Sequence, residues 1–185
     1  MTGQDSDLEL AARAAGGDAG AFVRLVERHK RLVLSLARQM TLSEGDAEDL
    51  AQETFLRAWK NVRAFRREAS FKTWLVRILM NHCWDYRRSR SHETQENETL
   101  AETRAAEDSG PEERLLEREL TQEVRKAVAG LPLHYRSVIV LRDFQDMSYA
   151  EISETLGIPA GTVMSRLSKA REQLRARLAA YRRQA

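Results

Sequence analysis

SYAEISETLGIPAGTVMSRLSKAREQL, residues 148–174, is the stretch whose reading decides the fold. Ser148 is a good N-cap, and Glu151 three residues on completes a capping-box pattern. Ile152 and Leu156 stand four apart, on one face of the helix that follows. Gly157 stops that helix and Pro159 cannot continue it. A second helix then turns Val163, Leu167, Ala170 and Leu174 inward. It leaves Thr162, Ser165, Arg166, Ser168, Lys169 and Arg171 on other faces. Helix, tight turn and basic helix make a helix-turn-helix, whose second helix lies in the DNA major groove.

Composition agrees with a helical chain. Of 185 residues 42% are hydrophobic and 31% charged, enough of both for a folded, soluble protein. Nine Gly and three Pro are too few for a loop-rich β protein. Net charge is only +2, so its distribution carries the information. Residues 160–185 hold seven Lys/Arg against one Glu, and 66–90 hold seven against Glu68 and Asp85. Between them, 91–123 hold eleven acids and three Arg. Two basic blocks, one on the helix-turn-helix, point to two nucleic-acid contact regions. The lone Cys83 excludes an internal disulfide and sits on an apolar stretch that suits a buried, inert thiol. The start of the chain lacks a signal-peptide core, and no apolar run reaches membrane-spanning length, so a cytoplasmic location is expected. His29, His82, His92 and His134 are too scattered for a zinc site. Without a Gly-rich phosphate loop, metal cluster or nucleophile–base pair, neither an enzyme nor a cofactor is expected.

Working outward, apolar spacing predicts four helices before residue 91: about 7–15, 21–40, a third starting behind Asp46 as its cap and running to about 61, and a fourth over 71–88. The stripe of the second is Phe22, Leu25, Val26, Leu32, Val33, Leu36, Ala37 and Met40. That of the third is Leu50, Ala51, Phe55, Ala58, Trp59 and Val62. That of the fourth is Phe71, Trp74, Leu75, Ile78, Leu79 and Tyr86. Residues 89–110 then turn polar and acidic, with Leu100 the only large apolar side chain, and read as a flexible linker. Helix resumes after Pro111 to about Ala129, followed by Leu133–Phe144 and the helix-turn-helix. The expected fold is all-α: a helical domain over 1–90, an acidic linker over 91–111 and a four-helix domain over 112–185.

The third helix presents Glu48, Asp49, Gln52 and Glu53 opposite its stripe. Early acids suit the helix dipole; they also suit an acidic docking face for a basic partner. Asp46-Ala47-Glu48-Asp49-Leu50-Ala51-Gln52-Glu53-Thr54-Phe55-Leu56-Arg57-Ala58-Trp59 closely resembles a signature of bacterial sigma factors of the extracytoplasmic-function group. Phe71-Lys72-Thr73-Trp74-Leu75-Val76-Arg77-Ile78 resembles the next signature of that family. Leu131-Pro132 through Arg171 is similar to its promoter-reading carboxy-terminal domain. All three in this order, across an acidic linker, are highly specific.

The resemblance implies a promoter-specificity subunit that acts by binding. Glu48, Asp49, Gln52 and Glu53 would dock on the coiled coil of the largest subunit of core RNA polymerase. Phe65, Arg66, Lys72, Arg77 and Asn81 would read and open the minus-ten element, through stacking, phosphate contact and the amide that reads a flipped base. Phe71 and Trp74 fall on the apolar stripe, which suits packing, whereas Phe65 is a loop ring with less packing reason. Arg142, Thr162, Met164, Ser165, Arg166, Ser168, Lys169 and Arg171 would contact the minus-thirty-five element, with Arg166 alternatively supporting its own or the preceding helix. Many relatives are basic where this chain has Met164. A thioether cannot make a bidentate contact to guanine, though it can touch a thymine methyl. The linker would thread through the polymerase, and an anti-sigma partner would hold the chain inactive. A stand-alone helix-turn-helix regulator is the alternative; binding to core polymerase separates the two.

Overall fold

The computed structural model describes residues 5–41, 43–66, 69–93 and 123–181. The described residues are helical throughout and fall into two compact units, one built on α1–α4 and the other on α5–α8. The expected linker over 91–111, the helix expected directly after Pro111, and His92 with Leu100 lie outside what is described, apart from the backbone of 91–93.

In the first unit, α1 (Asp7–Ala15) starts on a reciprocal capping box: the Ser6 N–H donates to the Glu9 carboxylate at 2.6 Å and the Glu9 N–H to Ser6 Oγ at 3.3 Å. Asp7 ties α1 to α2 (Ala19–Met40), with Arg28 at 2.8 Å and His29 at 2.7 Å. Burial alone would raise the Asp7 carboxyl, but the hydrogen bonds from Arg28 and His29 outweigh it and hold the group below the usual carboxylate range. Phe22, Leu25, Val33, Leu36 and Ala37 of α2 are buried as their spacing predicts, with Val26 and Leu32 half-buried.

α3 (Glu44–Asn61) begins two residues before Asp46, so Asp46 lies inside the helix rather than capping it. Its buried face is Ala47, Leu50, Ala51, Thr54 and Ala58. Thr54 is tolerated there because its hydroxyl donates to the Leu50 carbonyl at 2.7 Å. Trp59, expected inward, is 37% exposed and rests its ring 5.0 Å from Phe22. A 3-10 turn (Val62–Ala64) leads out of α3. α4 (Phe71–Glu93) starts behind Ser70, whose Oγ accepts from the Thr73 N–H at 3.0 Å. It runs five residues past its expected end. Phe71, Leu75, Val76, Leu79, Met80 and Cys83 are buried, a wider face than the expected stripe, while Trp74, Ile78 and Tyr86 are half-buried.

In the second unit, α5 (123–129) precedes α6 (Leu133–Ile139). Every residue from Arg136 to Leu141 is buried, as for a helix surrounded by its own domain. Arg136 is accommodated because its guanidinium donates to the carbonyls of Ala129 and Leu131. The helix continues as a π turn (Val140–Phe144), so the expected Leu133–Phe144 helix exists with a widened last turn. Asp146, at φ 53, then turns the chain in the left-handed region, and the Met147 N–H closes on the Leu141 carbonyl at 3.0 Å.

α7 (Tyr149–Leu156) carries the expected capping box between Ser148 and Glu151 and ends on Gly157 at φ 63. The Ser153 hydroxyl donates to the Ile158 carbonyl at 2.6 Å and fixes the turn. The Pro159 carbonyl receives the first N–H groups of α8 (Ala160–Tyr181), from Thr162 at 2.8 Å and Val163 at 3.1 Å. Val163, Leu167 and Ala170 are buried, and Leu174 is half-buried.

Candidate nucleic-acid interface

The first unit offers two groups of expected site residues. On α3, Glu48, Asp49 and Gln52 are exposed on the side away from Leu50 and Ala51. Glu53 differs from them. It accepts from Arg57 Nε at 3.0 Å, and that hydrogen bond holds its carboxyl below the usual range. Arg57 also reaches toward Asp85 of α4, 3.7 Å away. The four residues expected to dock therefore divide into three open side chains, Glu48, Asp49 and Gln52, and one acid engaged by its own helix. Such i,i+4 pairs contribute only tenths of a kcal/mol at the surface, so Glu53 can exchange partners. His82 of α4 lies beside this group. Burial, then the Arg57 charge, push its imidazole below the ordinary value, and among the described residues its Nδ1 has no hydrogen-bond partner.

The second group surrounds the start of α4. Phe65 is half-buried, with its ring 5.6 Å from Phe71 at a near right angle and 5.3 Å from Trp74. Phe71 and Trp74 are 5.5 Å apart. Phe65 was expected to have less reason to pack than the rings on the stripe. Two rings on the next helix supply one, a long-range contact that periodicity cannot assign. Arg66, Arg77 and Asn81 are exposed and Lys72 half-buried. Arg77 and Asn81 stand four apart on one line of α4. Lys60 and Arg63, exposed at the end of α3 and in the 3-10 turn, extend the basic surface. Sequence reading passed them over, although the charge run through Arg66 signals them.

In the second unit the helix-turn-helix presents the expected face. Met164, Ser165, Ser168 and Lys169 are exposed and Thr162 is half-buried. Ser165 donates its hydroxyl to the Thr162 carbonyl at 3.1 Å, which leaves its oxygen lone pairs outward. Three expected contacts are held by their own domain. Arg142 donates to the Met147 carbonyl at 2.8 Å and lies over the Tyr149 ring at 5.2 Å. Arg171 grips Asp143 of the π turn through two nitrogens, at 2.6 and 3.3 Å. Arg166 is half-buried and close enough to His134 to add to the burial that lowers that imidazole. Arg142 and Arg171 brace the π turn, and Arg171 ties it to the recognition helix. Among the described residues no group of His, Cys, Asp and Glu could hold a metal ion, and no helix is long and apolar enough to cross a membrane.

Two family models match: Sigma-70 region 2 over residues 25–93 and Sigma-70 region 4 over residues 121–174. The chain is 34% identical over 182 residues to the ECF RNA polymerase sigma-E factor of Haemophilus influenzae, covering 94% of this chain and 96% of the relative. Its fold matches CnrH, solved in complex with the cytosolic domain of CnrY, at TM-score 0.71 and 32% identity, covering 95% of this chain and 99% of that one. It also matches the sigma factor RpoE of Bartonella quintana, solved with the anti-sigma factor NepR, at TM-score 0.70 and 27% identity over 85% of this chain and 96% of that one. With the acidic α3 strip, the basic start of α4 and the capped helix-turn-helix each in the matched regions, the chain belongs to the extracytoplasmic-function sigma factors of RNA polymerase, proteins that act by binding and not by catalysis.

Proposed function

We propose that the first unit, over 1–90, fastens to core polymerase through α3 and opens the minus-ten element at the start of α4. The second unit, over 112–185, reads the minus-thirty-five element through α8. The acidic segment over 91–111 spans the polymerase between them. The observation that carries this reading is the open α8 face, with Met164, Ser165, Ser168 and Lys169 exposed opposite a buried ladder of Val163, Leu167 and Ala170. A helix so divided buries one side in its domain and offers the other to a groove.

Lys169 supplies a phosphate contact, Ser165 and Ser168 supply hydroxyls for base edges, and Thr162 lies beside them. Arg142, Arg166 and Arg171 keep the helix in position and present their remaining N–H groups to phosphate. On the first unit, Phe65 and Trp74, backed by the buried Phe71, form an aromatic step for unstacked bases. Arg66, Lys72 and Arg77 track the backbone, and Asn81 reads the flipped base. Glu48, Asp49 and Gln52 meet the basic coiled coil directly, and Glu53 joins when Arg57 yields it. The work is done in the cytoplasm. The relative from Bartonella quintana, solved with an anti-sigma factor, supports control of this chain by such a partner.

The test is run-off transcription with core polymerase and a genomic promoter library. Wild-type chain directs initiation. Asp49→Lys with Gln52→Lys loses core binding in pull-down, whereas Glu53→Gln alone loses less. Equal binding by the double variant and wild type overturns the docking assignment.

A further inference from the structure

We propose that Met164 reads the C5 methyl of a pyrimidine, making the upstream promoter element dependent on a thymine methyl at one position. This rests on the second unit being the reader of that element.

The front of α8 exposes Gly161, Met164, Ser165 and Ser168. Apart from Met164, these carry no side chain or a two-atom one. Met164 is 52% exposed and is the one long side chain among these four, with Lys169 the next long exposed side chain along the helix. Gly161 sharpens the point. Gly161 stands in the first turn of α8, where alanine is still the better helix former, and packing within this domain does not require it: a Cβ there would meet nothing within 4 Å. The advantage of the missing side chain lies outside the protein, where it allows the helix backbone close to a partner. A helix that sits deep in the groove brings Met164 to the base edges.

The thioether carries no N–H or O–H to donate, and its sulfur accepts only weakly, so it does not read guanine or cytosine by hydrogen bonds. The apolar feature of the major groove is the thymine methyl. Methionine is unbranched and polarisable, and it moulds to such a group at small cost.

The experiment uses the full chain assembled with core polymerase. A random duplex library first yields the upstream sequence that the wild type selects. Each thymine in it is then replaced by deoxyuridine, which removes the methyl and leaves base pairing intact. At one position this weakens wild-type binding about fourfold, the value of one buried methyl-sized group. Met164→Ala weakens binding to the thymine duplex by a similar factor and loses nothing further on deoxyuridine. Gly161→Ala raises the melting temperature while weakening binding. Wild-type binding that tolerates deoxyuridine at every position overturns the proposal, as does a deoxyuridine effect that persists undiminished in Met164→Ala. A wild-type chain that selects no upstream sequence overturns the promoter reading itself, and the methyl contact with it.

Discussion

The two units solve different problems with the same secondary structure. In the first, the residues proposed to meet polymerase and DNA are scattered over α3, the 3-10 turn and α4, and several engage their neighbours: Phe65 with Phe71 and Trp74, Glu53 with Arg57, Arg57 with Asp85. In the second, most belong to one helix, and the bonds that hold Arg142 and Arg171 run back into the domain and leave the recognition face clear. A helix that reads an intact duplex needs a rigid support and an open surface. A site that holds bases out of their stack needs rings, cations and an amide assembled from several elements, and part of that assembly is built before DNA arrives. The difference lies between a fixed template and a composite site.

The largest effect expected is on the rigid support. Arg136→Met leaves the carbonyls of Ala129 and Leu131 without their buried donor and costs the second unit about 3 kcal/mol. In thermal unfolding the second unit melts first, and minus-thirty-five binding is lost while core binding survives. If both functions fall together, the template and the composite site are not independent. Next comes the composite site. Asn81→Ala weakens promoter opening about tenfold, the scale of one lost base-edge pair, while closed-complex formation is nearly unchanged. Permanganate reactivity set against band shift measures the difference, and equal losses in the two remove Asn81 from base reading. Lys169→Ala is milder: the slope of log binding constant on log salt decreases by about 0.9, and an unchanged slope removes Lys169 from the phosphate contacts.

The smallest effect concerns His82. Burial, then Arg57, depress its folded pKa below the value of 6.5 for a free imidazole. Stability from the neutral ring is therefore complete well above that value and falls as pH drops through it, because the unfolded chain takes up the proton first. The melting temperature of the first unit decreases between about pH 7.5 and about pH 5.5, and His82→Gln flattens the decrease. An identical slope in the variant assigns the pH dependence elsewhere.

Much of this was legible in the residues. Capping patterns placed Ser148 and Gly157 correctly because N-caps and left-handed C-caps are local devices. Ser70 was legible for the same reason, and the end of α1 from the glycine pair that follows it. The start of α3 was missed because Glu44 and Gly45 carry no apolar signal, so periodicity begins only at Ala47. The π turn was hidden because its hydrogen bonds widen without changing which residues are apolar. For the sites, exposure of Asp49, Asn81 and Lys169 followed from position opposite a stripe. The pairings of Phe65 with Trp74, Glu53 with Arg57 and Arg171 with Asp143 did not: the first and last join separate elements, and the second is one of several i,i+4 options.

The widened turn at Val140–Phe144 has one more consequence. A π turn holds roughly one residue more than an α turn, so the residues at its end, Asp143 and Phe144, stand at a different angle around the helix axis than an α turn would give them. It acts as a phase shifter: the angle at which Asp143 meets Arg171 is set by a single surplus residue in the backbone, and no side-chain substitution reproduces that. Removing one residue between Val140 and Phe144 would restore the ordinary pitch, swing the Asp143 carboxylate out of reach of its arginine, and retune the aim of the recognition helix while leaving every residue on its reading face in place.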